Sequence, residues 1–373
     1  MFAMPATAIT LAFLTLPATA NWASNLGLPP LCGGWRKGRV DAMSKELGRR
    51  LFGQPMAGDV VEALREHVNN PNPVTPLSMS FHGDTGVGKT FVALDFIEKE
   101  LRGRGSLFGN GVLTLHGGTI TNRCHKDVKC AKQELSKKIK EVVSGCPTSL
   151  IVIDEVEDLE PMAIDAVASL LDNHASVEGV DYRRCVFIFT SNMGIDAIKR
   201  VMFKHIDAGK PRSSLKHADF DQVIGRAAFT GAGGTNGFLN SQLLNKHRID
   251  RFVVFLPLFK EHVRSCLGAA LERVAEKYAH VLFRSLTWTD EVVEEMLKEQ
   301  HFGKRGIAEA GCKRSKIPVS VFVISFGILI SLLLLNDYLL TFLCAFIFAD
   351  RHCQCRGTRL QRGGAVLRGL GMG

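Results

Sequence analysis

Several things are scarce or missing in this 373-residue chain, and each absence narrows what it can be. Trp and Tyr occur three times each, against 23 Phe, and no aromatic residue lies between Gly111 and Pro147. No Asn-x-Ser/Thr sequon is present, so glycosylation gives no clue to compartment. No internal period of about 20–50 residues appears, which excludes a repeat array. The nearest approach to a guanine-reading Asn-Lys-x-Asp motif is Asn245-Lys246-His247-Arg248, with Arg where Asp is needed. The formal charge is +9, yet Arg351, Arg356, Arg359, Arg362 and Arg368 lie in the last 23 residues with no acid among them. The remaining excess is modest and no basic-aromatic interleaving accompanies it, which argues against nucleic acid as a partner. His116, Cys124, His125 and Cys130 match no standard zinc spacing and read as surface-loop residues.

What is present is more specific. Gly83-Asp84-Thr85-Gly86-Val87-Gly88-Lys89-Thr90 fits the pattern G-x-x-x-x-G-K-[ST] in full. An alternating run, Leu77 to Phe81, precedes it like a strand, and Phe91 to Ile97 follows it like a helix. Strand, glycine-rich loop and helix place consecutive backbone N–H groups around a phosphate chain. Lys89 would reach the outer phosphates and Thr90 would put its hydroxyl on Mg²⁺. A second motif, Ser149-Leu150-Ile151-Val152-Ile153-Asp154-Glu155, is an apolar run ending in two carboxylates. Such a run reads as a strand buried on both faces of a parallel sheet, with its C-terminal end at the ligand edge. Asp154 would hold the Mg²⁺ shell and Glu155 would take a proton from the attacking water. Glu157, Asp158 and Glu160 follow, so a solvated acidic turn is the other reading of the pair; an apolar run ending in Asp-Glu downstream of the glycine-rich loop favours catalysis. A third strand, Cys185 to Ser191, is followed by Asn192, which alone could be a turn residue capping a strand end. The order of the three motifs resembles the additional-strand P-loop ATPases, and that resemblance implies a strand lying between the other two and an Asn192 that helps orient the water.

The length allows a full α/β core plus a smaller domain. Ala6 to Ala18 is uncharged and Ala18-Thr19-Ala20 resembles a cleavage site, so residues 1–20 read as a signal peptide and the mature chain as lumenal. Residues 21–45 form an N-terminal segment containing Cys32. Helices are expected over Met43 to Leu51, Asp59 to Val68, Lys126 to Ser144, Met162 to Asp172 and His262 to His280, with strands at Val112 to Leu115 and Phe252 to Leu258. Gly231 to Gly234 reads as flexible. Ile317 to Leu335 is a 19-residue stretch without charge, enough to cross about 30 Å of hydrocarbon. Lys313, Arg314 and Lys316 flank it on one side and the Arg-rich end on the other, so the flanking charge does not choose an orientation.

These residues carry a family resemblance. The chain resembles the torsins, the endoplasmic-reticulum-lumenal branch of the AAA+ ATPases related to Clp unfoldases. The matching stretches include Arg50-Leu51-Phe52-Gly53-Gln54, Asn70-Pro71-Asn72-Pro73, Leu77 to Gly88, Ser144 to Leu150, Val177 to Arg184, Phe187 to Asn192, Phe255-Leu256-Pro257-Leu258 and Gly311-Cys312-Lys313. The resemblance implies an α/β fold, a P-loop AAA+ parallel sheet flanked by helices (46–258), with a small C-terminal helical lid domain (259–316). An apolar tail (317–349), read as a membrane segment or as translated non-coding sequence, and a basic tail (350–373) would follow. It further implies ATP and Mg²⁺ as cofactors, a Cys266–Cys312 disulfide and Lys313 as a phosphate-sensing cation. Buried apolar packing is the other reading of both cysteines.

Departures from the family pattern shape the functional expectation. Torsins usually carry Asn where Thr90 stands, and Thr is the ordinary Mg²⁺ ligand. Clp-type ATPases place an Arg-Ile-Asp ahead of the last strand, and here Arg248-Ile249-Asp250 occupies that position. Arg248 is thus either a finger reaching a neighbouring subunit or a solvated residue of a basic turn. The missing aromatics between Gly111 and Pro147 argue against peptide threading. The expected protein is an ATPase of the endoplasmic reticulum lumen or nuclear envelope that remodels protein clients. Its partners would be copies of itself and a membrane-anchored lumenal activator. The alternative is a nucleotide-gated interaction protein with little turnover.

Overall fold

The computed structural model describes residues 34–102, 111–224, 237–239, 241–245, 247–278, 285–313 and 365–368. The expected signal peptide, Cys32, Gly231 to Gly234 and the apolar tail lie outside the described residues, as does most of the basic tail. No helix among the described residues is long and apolar enough to cross a membrane. The chain divides into two compact units. The first runs to Arg49 and holds Gln54–Gly83 and Gly88–Leu256; the second holds Arg50–Gly53, Asp84–Val87 and the chain from Pro257 onward.

The first unit is built on a five-stranded sheet. After α1 (Val40–Arg50) and α2 (Gly58–Asn69) come β1 (Leu77–Gly83) and α3, a π-type helix Phe91–Glu98 prolonged by Lys99–Arg102. Then follow β2 (Val112–His116), α4 (Gly117–Arg123), α5 (Val128–Gly145) and β3 (Leu150–Asp154). The series closes with β4 (Val186–Ser191), α6 (Ile195–Asp207) and β5 (Arg251–Phe255). The spatial order is β2-β3-β4-β1-β5 and every neighbouring pair is parallel. β4 therefore lies between β1 and β3, as the sequence reading anticipates. All residues of β1, β3 and β4 are buried, which is why β3 is an unbroken apolar run: helices cover both faces.

β1 alternates Ser78, Ser80 and His82 with apolar residues, and the polar side is buried too. Both serine hydroxyls and His82 Nε2 find partners within the unit, whereas His82 Nδ1 is buried with no hydrogen bond of good geometry. Ser80 Oγ and His82 Nε2 lie 2.8 Å apart, and Ser78 Oγ donates to the Arg248 carbonyl at 2.7 Å. The Asp250 carboxylate accepts the Ser78 amide at 2.7 Å. These bonds fix the segment ahead of β5 against β1.

One element departs from expectation. Met162 to Asp172 is not a continuous helix; a single turn, Ala163–Ala166, is followed by bends. Tertiary contacts override local propensity here. The Asp165 carboxylate accepts Ser241 Oγ at 2.8 Å and the Gln242 amide at 2.7 Å, and Asp172 pairs with Arg248. Met162 also sits at φ 64°. Cys124 and Cys130, read from sequence as loop residues, are joined in a disulfide with Cα atoms 5.5 Å apart, and Cys124 is buried in the core. Asp127 between them caps α5, accepting the Lys129 amide at 2.7 Å and the Cys130 amide at 3.1 Å.

The second unit contains α7 (Lys260–Tyr278), β6 (Ser285–Trp288), α8 (Asp290–Lys298) and β7 (Ala365–Arg368), with β6 and β7 antiparallel. Cys266 on α7 is disulfide-bonded to Cys312, with Cα atoms 5.9 Å apart.

Candidate nucleotide site

Parallel strands deliver polar residues to one sheet edge, because each C-terminal end points the same way. β1 ends at Gly83, β3 at Asp154 and β4 at Ser191. The structure thereby brings Lys89, Thr90, Asp154 and Asn192 together. Lys89 is buried; its Nζ donates to the Gly83 carbonyl at 2.7 Å and to Asn192 Oδ1 at 2.8 Å. Thr90 Oγ1 lies 3.5 Å from Asp154 Oδ1. Thr190 Oγ1 donates to the same oxygen, and His116 Nδ1 lies 3.5 Å from Oδ2. Asp154 is thus a buried carboxylate held from several sides, with one polar partner from β2 and one from β4.

Glu155, next along the chain, is exposed at φ 55° and ψ 55°, a conformation that L-residues seldom adopt. Its amide is anchored by Thr190 Oγ1 at 3.2 Å. Gly117 permits this turn: a Cβ there would stand 2.2 Å from the Glu155 carbonyl oxygen. Sequence reading misses Gly117, because nothing local signals a close approach between residues so far apart.

The phosphate loop itself bends through Gly83 (φ 159°), Gly86 (φ 74°) and Gly88 (φ 112°). A Cβ on Gly83 would meet the Phe255 carbonyl oxygen at 2.5 Å. The loop tip, Asp84, Thr85, Gly86 and Val87, groups with the second unit. There the Cys312 amide donates to the Gly86 carbonyl at 2.9 Å, and a Cβ on Gly86 would stand 2.1 Å from the Ala310 carbonyl oxygen. Lys313, whose amide donates to Ala310 at 3.0 Å, follows directly and is exposed.

Two residues differ from their sequence reading. Arg248 is not a solvated residue of a basic turn: its guanidinium forms a two-pronged ion pair with Asp172, and its Nε is buried without a hydrogen-bond partner. The neighbouring Asn173 amide and then Arg248 hold the Asp172 carboxyl below its usual range. Glu157 is not solvated either. Oε1 accepts the Asn192 amide at 3.0 Å, and Oε2 is buried with no hydrogen bond of good geometry. Burial raises its pKa, against the opposing pull of the Asn192 amide, the Ser191 hydroxyl and the Lys89 charge.

A glycine-rich loop with its lysine, an Asp-Glu pair and a polar residue between them, all on one edge of a β2-β3-β4-β1-β5 sheet, define an ATPase of the AAA+ class. The solved structures agree in fold. The chain superposes on S. cerevisiae Hsp104 in its ADP complex with a TM-score of 0.51 at 16% identity, covering 77% of this chain and 46% of that one. For closed-state Hsp104 with ATPγS and FITC casein the TM-score is 0.53 at 17% identity, covering 80% and 48%. The chain thus spans about half the length of the Hsp104 chains it matches. Closer in sequence is a torsin-like protein of Caenorhabditis elegans, 32% identical over 73% of this chain and 74% of the relative. A torsin-like protein of Drosophila melanogaster is 31% identical over 63% and 68%. The Torsin family model matches residues 30–153. The chain belongs to the torsin family.

Proposed function

We propose that this torsin binds and hydrolyses ATP in the lumen of the endoplasmic reticulum or the nuclear envelope, as a homo-oligomer, to remodel protein clients. The observation that carries the reading is the convergence of Lys89, Thr90, Asp154 and Asn192 on one sheet edge. The Hsp104 structures bound to ADP, ATPγS and casein support nucleotide binding and action on protein. The oxygens present fit a divalent cation, since the Thr90 hydroxyl and the Asp154 carboxylate lie 3.5 Å apart beside a buried lysine. Thr90 and Asp154 would hold Mg²⁺, which when bound neutralises phosphate charge.

The chain's own residues supply the rest. Amides of Gly83, Asp84, Thr85, Gly86, Val87, Gly88, Lys89 and Thr90 line the phosphate path. Lys89 exchanges one of its oxygen partners for a phosphate oxygen. Glu155 accepts the proton of the attacking water and Asn192 orients that water. Arg248 would serve a neighbouring subunit as a finger, and Lys313 would report on phosphate. Residues 46–258 act as the nucleotide-binding domain and 259–316 as the lid.

A second reading, a nucleotide-gated interaction protein, draws on one observation. Arg248 is already engaged by Asp172 of its own chain, so a finger role requires that pair to open. Steady-state ATP hydrolysis by the full chain, beside Glu155→Gln and Arg248→Ala, decides. Turnover abolished by Glu155→Gln supports the ATPase. If Arg248→Ala also lowers turnover, by about 10³–10⁵-fold, the residue is a finger. Unchanged turnover in Arg248→Ala leaves Arg248 a structural partner of Asp172. Tight ATP binding with no turnover, even with a lumenal activator domain added, overturns the enzymatic reading.

A further inference from the structure

The acidic turn after β3 contains carboxylates that the proposed chemistry does not use. Asp158 is exposed; Glu157, by contrast, is turned inward. Its Oε1 receives the Asn192 amide at 3.0 Å. Asn192 Oδ1 in turn receives Lys89 Nζ at 2.8 Å, and Lys89 Nζ also donates to Gly83 at 2.7 Å. The bonds form one line from the turn following Asp154 and Glu155, through the residue just after β4, to the phosphate-loop lysine. All four residues lie in the first unit. The second carboxylate oxygen, Oε2, is buried with no hydrogen bond of good geometry. A buried acceptor left so costs stability that an apolar residue of similar size would not. Packing alone therefore does not account for a carboxylate at this position.

The strand ladder does not hold Asn192. It follows the last residue of β4, and Gly194 behind it is at φ 78°. The peptide carrying Asn192 needs an external anchor if its side chain is to keep one direction, and the Asn192 amide has Glu157 as that anchor. The next amide, Met193, donates to Ser191 Oγ at 3.1 Å, which fixes the turn itself but does not tie it to β3.

We propose that Glu157 is a positioning residue: by gripping the Asn192 amide it aims the Asn192 side chain and Lys89 at the terminal phosphate, so that the site distinguishes a nucleoside triphosphate from a diphosphate. This rests on the nucleotide reading above and deepens it. The phosphates nearer the sugar are held by loop amides that do not depend on Glu157. Loss of the grip therefore weakens contact with the third phosphate and leaves the other two in place.

The test needs no turnover. Affinities of the full chain for a non-hydrolysable ATP analogue and for ADP, each with Mg²⁺, are measured for wild type, Glu157→Ala and Glu157→Gln, alongside thermal unfolding. Glutamine keeps an acceptor oxygen in the same place. Glu157→Ala is expected to lose about tenfold of the analogue affinity, the size of one hydrogen bond of the charged class, with ADP affinity within about twofold. Glu157→Gln is expected to keep the wild-type ratio. An unchanged ratio in the alanine variant overturns the assignment, as does an equal loss for both nucleotides, which marks a merely structural role. A glutamine variant as poor as alanine overturns it as well. A wild-type chain that binds neither nucleotide overturns the nucleotide reading, and this assignment with it.

Discussion

His82 sits in the strand that leads into the phosphate loop, wholly buried between β-strand neighbours and near Phe238 and Phe252. Burial lowers its pKa to about 4, with the Met193 backbone pulling the other way and the Lys89 charge adding to the fall. In the unfolded chain the same imidazole titrates near its ordinary value of about 6.5. Between these two values the unfolded state binds a proton that the folded state refuses. Stability is therefore complete above about pH 6.5 and is lost as pH falls through the window toward 4. Integrating the difference gives a loss of about 2 kcal/mol between pH 7 and pH 5 from this one residue. The assay is urea unfolding followed by fluorescence of Trp35, whose indole donates to the Arg184 carbonyl at 3.0 Å and so reports on the first unit. Wild type and His82→Leu are compared at both pH values, with Trp22 and Trp288 replaced by phenylalanine in each. His67, also held below its usual range by burial, is common to both proteins and cancels. The stability advantage of wild type over the leucine variant should shrink by about 2 kcal/mol on acidification. A gap that does not change with pH would refute the argument, because it would mean that His82 is not held neutral by its surroundings.

Other outcomes follow from the same structure. The Cys266–Cys312 bridge spans 46 residues of sequence, so replacing both cysteines with serine should lower the stability of the second unit by about 4 kcal/mol. Hydrogen exchange in α7 and residues 307–313 measures this; protection equal to wild type would contradict it. Gly86→Ala places a Cβ where the Ala310 carbonyl stands, at φ 74°. A loss of at least about 1 kcal/mol in nucleotide affinity is expected by calorimetry, and an unchanged affinity would mean that the loop tip and residues 310–313 part at little cost. Asp172→Asn weakens the hold on Arg248. If Arg248 acts between subunits, turnover per subunit should rise in this variant and fall again in Asp172→Asn with Arg248→Ala; turnover equal to wild type in both would confine Arg248 to its own chain.

The nucleotide site is legible in sequence because its parts are contiguous. Eight adjacent residues spell the phosphate loop, and the unbroken apolar run of β3 announces both its burial and the carboxylate at its end. Asn192 can be placed because β4 has the same character. Helix limits such as Val128–Gly145 come within a residue or two of the spacing-based expectation, since an amphipathic pattern and an Asp cap are local properties. What escapes is everything whose cause lies elsewhere in the chain. Met162 to Asp172 has helical spacing, yet Asp165 and Asp172 answer to partners 76 residues away or more, and the helix is lost.

Local sequence is enough to set the class of the protein, the strands and the loop chemistry, because backbone periodicity and glycine placement act over a few residues. Which acids face solvent and which face the site is settled by packing at a distance. Three carboxylates, Glu155, Glu157 and Asp158, look alike in the sequence. The left-handed turn at Glu155 leaves that residue exposed and sends Glu157 inward to the Asn192 amide. The close approach of Gly117, and of Gly237 to Val156 beside it, makes room for that turn. The same holds for Arg248, whose neighbours in sequence are basic and whose partner in space is an acid.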